Sequence, residues 1–367
     1  MSEKRRLNIA MVGNGFIAGV HSNAFHQVGY FFDVPFSLRT KVICGRDRQK
    51  LDTFASKWGW EETSLDWEST VARKDIDIVD IAVPNSLHAS IAMAAAKAGK
   101  ILLCEKPLAL TVAETTEMIK AVGELPNLVW YNYRRAPAVV FAKRLIDEGR
   151  IGEPFHYRAY YFNQSGVDRR KAQSWRYRRA ESGSGAIGDL LSHSLDLATD
   201  LNGRITQLCA TANTFMPGRD VDDAVQVMAK FANGSMGSFE ASRFGVGRRN
   251  GNGFEMYGSK GRLAFDLEEI NQLQFFDATE SPTMQATRSI LITGPNHPYS
   301  QNFWKPGHVI GYEHTFIATL GDFLGSLAAG KPFHSNFQDS LYIQELLALV
   351  ECSAQSRTWV SVEDGRT

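Results

Sequence analysis

Three groups of residues have the types and spacing to do chemistry. Gly13-Asn14-Gly15-Phe16-Ile17-Ala18 is a G-x-G-x-x-A turn. Its first glycine permits a tight turn, its second lets the backbone approach a pyrophosphate, and its small last position lets a helix pack on the preceding strand, with phosphates at the positive helix end. Lys106, in Glu105-Lys106-Pro107, follows the apolar run Ile101 to Cys104. A lysine at such a strand end, beside a positive nicotinamide ring and partly desolvated, would have its pKa lowered and could exchange a proton near neutrality. A surface lysine that merely ends a strand reads the same way. The third group is Asp189 and His193. At about 100° per residue, Asp189, His193, Asp196 and Asp200 fall on one stripe, with Leu190, Leu191, Leu195, Ala198 and Leu201 on the core side. A carboxylate that holds an imidazole in one tautomer makes a proton shuttle; a solvated acidic face with an incidental histidine has the same pattern. The lead-in Gly183-Ser184-Gly185 is expected to bring backbone close to a ligand.

Two further positions bear on a dinucleotide. After the run Lys41 to Gly45 comes Arg46, where sites for the non-phosphorylated cofactor usually place an acid. A guanidinium there can meet a 2′-phosphate and stack on adenine, which leans towards NADP; Asp47 can serve a ribose of NAD or cap the next helix. Pro84-Asn85-Ser86-Leu87-His88 ends another apolar run, so Pro84, Asn85 and His88 are candidate cofactor contacts. The alternative for the last two is a helix N-cap and a satisfied histidine.

The elements that must position these residues follow from periodicity. Runs at 7–12, 41–45, 78–83, 101–104 and 128–130 alternate with helical windows at 17–28, 49–58, 87–98 and 112–122. Continuous apolar strands alternating with helices predict a doubly wound parallel (Rossmann) α/β sheet over 1–132. After a helix at 138–148, short β-branched or aromatic runs dominate, at 155–162, 207–215, 224–231, 235–242, 253–257, 262–265, 273–276 and 289–293. Asn233-Gly234 marks a hairpin. The second block, 133–367, is expected to be an α+β substrate-binding and oligomerisation domain with an open-faced, mainly antiparallel sheet, closed by helices near 312–327 and 340–357.

Composition limits the partners. The chain has 367 residues, 44% hydrophobic and 22% charged, with formal net charge zero. No global field favours nucleic acid. The clusters Arg169-Arg170, Arg176 to Arg179 and Arg248-Arg249 are read as solvated turns. The four cysteines are dispersed, giving no CxxC redox or zinc pattern, and the nine histidines are scattered without HExxH, so no metal is expected. Free thiols fit a reducing cytoplasm, and the apolar run at 7–12 is too short for a signal peptide or a membrane span.

With these elements in order, the chain resembles the glucose–fructose oxidoreductase and inositol dehydrogenase (Gfo/Idh/MocA) family. The likeness rests on the glycine turn, Pro84-Asn85-Ser86-Leu87-His88, Glu105-Lys106-Pro107, Asn132-Tyr133-Arg134-Arg135, and Asp189 with His193. It implies an NAD(P)-dependent oxidoreductase that moves a hydride between nicotinamide and a secondary hydroxyl carbon of a sugar, sugar derivative or cyclic polyol. It further implies that Lys106, Asp189 and His193 are catalytic, with His193 exchanging the hydroxyl proton and Lys106 orienting the reacting carbon. Gly13, Asn14, Gly15, Phe16, Ile17, Glu105, Lys106 and Asn132 would then face the cofactor, as would Trp175-Arg176. Tyr133, Arg134, Asn163, Asp189, His193 and His314 would face substrate. Asn132-Tyr133-Arg134-Arg135-Ala136-Pro137-Ala138 and Gly311-Tyr312-Glu313-His314-Thr315 are most similar to members acting on sugars and anhydrosugars; Phe162-Asn163-Gln164-Ser165 departs from some of them. A homodimer or homotetramer is implied. Two rival readings remain: a glycosidase that oxidises its sugar transiently with bound NAD, and a non-catalytic dinucleotide binder.

Overall fold

The computed structural model describes residues 4–168 and 174–362. The first strands and helices are β1 (Arg5–Val12), α1 (Phe16–Phe31), β2 (Phe36–Cys44), α2 (Arg48–Trp58), β3 (Glu62–Ser64), α3 (Trp67–Val71), β4 (Ile78–Ile81), α4 (His88–Lys97), β5 (Ile101–Cys104), α5 (Val112–Val122) and β6 (Asn127–Val129). The six strands pair in parallel in the order β3-β2-β1-β4-β5-β6. All four residues of β4 are buried, as a central parallel strand covered by helices on both faces requires. Local chemistry fixes the helix ends. Asp47 caps α2 by accepting from the Lys50 amide, and Gly59 closes it at φ 67°. Thr111 caps α5 while Glu114 reaches back to the Leu110 amide.

The chain continues with α6 (Pro137–Asp147), β7 (Pro154–Phe162), α7 (Arg179–Ser182), a π-helical turn (Ile187–Leu191), α8 (Ser192–Asn202), β8 (Ile205–Asn213), β9 (Ala224–Phe231), β10 (Met236–Ser242), β11 (Gly251–Gly258), β12 (Gly261–Asp266), β13 (Gln272–Asp277) and β14 (Thr287–Leu291). It ends with α9 (Tyr312–Ala328), α10 (Phe337–Ser356) and β15 (Val360–Ser361). The second sheet has nine strands in the order β14-β13-β12-β11-β7-β10-β9-β8-β15. Every pair is antiparallel except β7 with β10. Asn233-Gly234 does turn β9 into β10, with Gly234 at φ 87°. β9 alternates between covered and open faces along its length.

Packing divides the chain into two compact units. One runs to Asn132 and takes in Tyr312–Gln344; the other comprises Tyr133–Gly311 and the residues from Glu345 on. The first crossing coincides with the expected boundary, but the continuous second block 133–367 does not hold. α9 packs on the first unit instead, where Gly321 gives room to the ring of Phe32; an added Cβ would lie 2.5 Å from it. The short elements β3, α3 and β15 carry too few residues to show a period, so sequence patterning passes over them.

The four cysteines are free, with Cys44 and Cys104 buried. Arg248 pairs with Asp266 and Glu268, and Arg178 and Arg179 pair with Glu181 and Glu351; Arg169-Arg170 lie outside the described residues. Among the described residues no helix is long and apolar enough to cross a membrane, and no group of three His, Cys, Asp or Glu could hold a metal ion.

Candidate functional site

In the first unit the glycine turn joins β1 to α1. Gly13 sits at φ +115°, and a Cβ there would fall 2.1 Å from the Ala82 carbonyl oxygen. Only glycine tolerates both constraints. Gly15 is the N-cap of α1, with no side-chain cap and no acid in the first turn. A Cβ on Gly15 would meet nothing within 4 Å. The result is a helix start whose amides are uncapped by side chains beside open space, which fits a diphosphate. Ala18 is fully buried against the sheet, as the small motif position requires. Phe16 is exposed and Ile17 half-buried.

At the end of β2 the two candidates for cofactor choice separate. Asp47 spends one oxygen on the Lys50 amide at 3.1 Å and pairs with the Lys50 ammonium. The amide bond foremost holds its carboxyl below the usual range. Arg46 is exposed.

Several expected cofactor contacts have other tasks. Asn85 is not an N-cap; residues 85–87 form a 3₁₀ turn and α4 starts at His88. Pro84 precedes that turn at φ −57°. The His88 ring is fully buried, with Nδ1 3.1 Å from the Pro107 carbonyl oxygen and Nε2 3.0 Å from that of Val83. It ties the turn after β4 to the turn after β5; burial foremost keeps its pKa below the ordinary value. Glu105 is likewise turned inward. One oxygen meets His21 Nε2 at 3.1 Å and the other accepts from the Lys106 amide at 3.2 Å. Lys106 itself is half-buried at the end of β5. Asn132 donates to Thr315 Oγ at 2.8 Å, and His314 lies beside Glu313 and against Phe31 in the same unit.

In the second unit His193, 5% exposed, packs its ring against Tyr133 at 4.6 Å and Tyr161 at 5.8 Å between centroids. The two phenols meet at 3.0 Å, and Asn250 accepts from Tyr161 at 2.8 Å. Asp189 lies on the π-helical turn just before α8, and Arg243 donates to its carboxylate at 3.0 Å. That arginine is 1% exposed and also bonds the carbonyls of Gly185 and Arg176. The expected single stripe therefore splits. A π turn closes i to i+5, so Asp189 reaches Arg243, whereas Asp196 and Asp200 both take Arg134. Asp196 is 2% exposed, so there is no solvated acidic face.

Other expected site residues also have partners within the protein. Arg134 is buried in that ion pair. Asn163 accepts from the Ser165 amide and hydroxyl, forming a local turn. Gly185 has no room for a Cβ, which would lie 1.7 Å from the Asp222 carbonyl oxygen, so this glycine admits backbone of the β8–β9 loop. Arg176 stacks on Trp175 at 4.7 Å. No local pattern points to Arg243, Tyr161 and Asn250, since each reaches its partner across more than 25 residues.

Comparison with known proteins decides the family. An oxidoreductase family with an NAD-binding Rossmann fold matches residues 7–133, and the GFO/IDH/MocA C-terminal domain matches residues 139–264. The chain belongs to the GFO/IDH/MocA oxidoreductase family. It is 36% identical to levoglucosan dehydrogenase of Pseudarthrobacter phenanthrenivorans over 98% of each chain. A solved levoglucosan dehydrogenase in complex with NADH and levoglucosan superposes with a TM-score of 0.95 at 37% identity, covering 98% of this chain and all of that one. An oxidoreductase domain protein from Kribbella flavida gives a TM-score of 0.94 at 41% identity over 98% of this chain and 100% of that one. This member of the family is thus an oxidoreductase built on a dinucleotide-binding unit.

Proposed function

We propose that this family member oxidises a secondary ring hydroxyl of a sugar or anhydrosugar to a ketone, reversibly. One observation carries the reading: His193 is buried against the rings of Tyr133 and Tyr161, four residues after a carboxylate anchored by Arg243. The similarity to levoglucosan dehydrogenase along nearly the whole chain supports the substrate class. Gly13, Gly15 and the first turn of α1 would hold the dinucleotide phosphates; when bound, the cofactor supplies the hydride acceptor. His193 takes the hydroxyl proton on a ring nitrogen. Asp189, held by Arg243, stabilises the charged ring. Tyr133 and Tyr161 orient sugar hydroxyls, and Lys106 donates a hydrogen bond to the developing oxyanion.

The exposed Arg46, with Asp47 drawn into the α2 cap, supports use of NADP alongside NAD. The open face of the nine-stranded sheet, where Met228 and Met236 are more than half exposed, supports pairing of two copies through that sheet. The deciding experiment is single-turnover hydride transfer with levoglucosan and a panel of sugars and inositols, using wild type, His193→Ala and Lys106→Ala. Both variants should be slowed by about 10² to 10⁴; near-native rates in both would end the assignment. Net reduction of added cofactor separates this reaction from glycoside cleavage.

A further inference from the structure

The first unit contains a buried charged cluster that the reaction above does not use. His21, on the buried face of α1, is 0% exposed, as is Asp80 near the end of β4. His21 Nδ1 lies 2.8 Å from Asp80 Oδ2, and Nε2 lies 3.1 Å from Glu105 Oε1. A carboxylate on each ring nitrogen calls for a hydrogen on each, that is, an imidazolium; a neutral ring would press a lone pair against a buried anion. Each remaining carboxylate oxygen also has a donor. Trp130 Nε1 donates to Asp80 Oδ1 at 2.9 Å, and the Lys106 amide donates to Glu105 Oε2 at 3.2 Å. The Trp130 ring stacks on His21 with centroids 4.2 Å apart, and Phe316 of α9 closes the other approach at 5.5 Å. Cys104, also buried here, has its thiol pushed up by burial and the two carboxylates, so it stays neutral.

The connectivity of this cluster matters more than its existence. α1 carries the glycine turn at its start, and Glu105 is the residue immediately before Lys106. The cluster therefore ties the helix that begins the dinucleotide site to the strand end that presents Lys106, through one ring and two carboxylates. We propose that His21 is a positioning residue: a permanently charged bridge between Asp80 and Glu105 that sets where Lys106 stands relative to the glycine turn. The inference rests on the reading of Lys106 as the group that addresses the reacting carbon. Burial alone would lower the His21 pKa; the charge and hydrogen bond of Asp80, then those of Glu105, outweigh it and raise it to about 9. The bridge is therefore intact across the neutral range.

A Gln at position 21 can serve one carboxylate but carries no charge. In His21→Gln, kcat should fall about 10- to 100-fold, the scale of a misplaced catalytic group, while KM for NAD changes less than about threefold. The decisive comparison is a double-mutant cycle with Lys106→Ala. On that background His21→Gln should add less than about a threefold loss. A wild-type kcat in His21→Gln overturns the proposal, as does an equal loss in both backgrounds, which would mean that His21 acts independently of Lys106. A near-native rate in Lys106→Ala alone would instead overturn the reading of Lys106, and is seen in the single variant. Should His21→Gln fail to fold, imidazole nitrogen NMR of the wild-type holoenzyme decides. Both ring nitrogens must be protonated at neutral pH, and a neutral tautomer there overturns the bridge.

Discussion

His21 and His193 are both buried imidazoles, at 0% and 5% exposure, yet their surroundings give them opposite characters. The first unit surrounds its histidine with two carboxylates, a tryptophan and a phenylalanine. Loss of its proton would leave two buried anions without a cation, so the proton is fixed. The second unit sets its histidine against the rings of Tyr133 and Tyr161. The carboxylate of Asp189, four residues before that ring, is held by Arg243. His88 is a third case, seated on backbone carbonyls and pushed towards the neutral form by burial. One residue type thus sits among carboxylates, backbone carbonyls or aromatic rings, and what each ring can do depends on the groups around it.

The contrast is most sharply tested by deleting the two rings the structure treats as unlike. His193→Ala should lose about 10² to 10⁴ in single-turnover hydride transfer while still binding NAD, as read by quenching of intrinsic fluorescence; retained rate would place the base elsewhere. Next in size is the anchor of Asp189. Arg243→Met removes the buried donor to a carboxylate that is 31% exposed and should cost about 1.5–3 kcal/mol of stability by denaturant midpoint. If the variant melts like wild type, Arg243 does not hold the π turn as described.

The fixed cation predicts a pH effect on stability rather than on rate. Against the opposing effect of burial, Asp80 and then Glu105 raise the His21 pKa from its ordinary 6.5 to about 9 in the folded protein. A raised folded pKa gives a stabilising contribution that is complete below about 6.5 and disappears as pH rises through about 9. The thermal midpoint of the wild type should fall across that window by more than that of His21→Gln, which has no proton to lose at this position. Parallel curves for the two proteins would mean that the ring is neutral. The smallest effect belongs to Arg46. Arg46→Ala should lower kcat/KM with NADP about tenfold, near 1.4 kcal/mol, and with NAD by less than about threefold. Equal changes would remove Arg46 from cofactor choice.

Much of the fold was legible because it rests on local rules. Strand and helix alternation, the alanine-rich window of α4, the Asn233-Gly234 hairpin and the glycine turn each express a steric or periodic constraint within a dozen residues. The candidate site was legible as a set of residues but not as a set of partnerships. Asp189 and His193 were found by helical spacing, yet that spacing assumed an α-helix where a π turn stands. Arg134, Asn163 and His88 were named from motifs, and motifs do not show the partners that each has within the protein.

By itself, then, the sequence determined that β1 is followed by a turn only glycine can make, that a parallel sheet precedes a mainly antiparallel one, and that a lysine, an acid and an imidazole sit at element ends. These are short-range consequences of excluded volume and hydrophobic period. Only the tertiary structure decided that His21 would stand between Asp80 and Glu105, 59 and 84 residues away, and that Arg243 would meet Asp189 across 54. It also decided that α9 would return to the first unit. Such pairings depend on which charges folding removes from water together, and a charge's partner across that distance leaves no trace in the period of the chain.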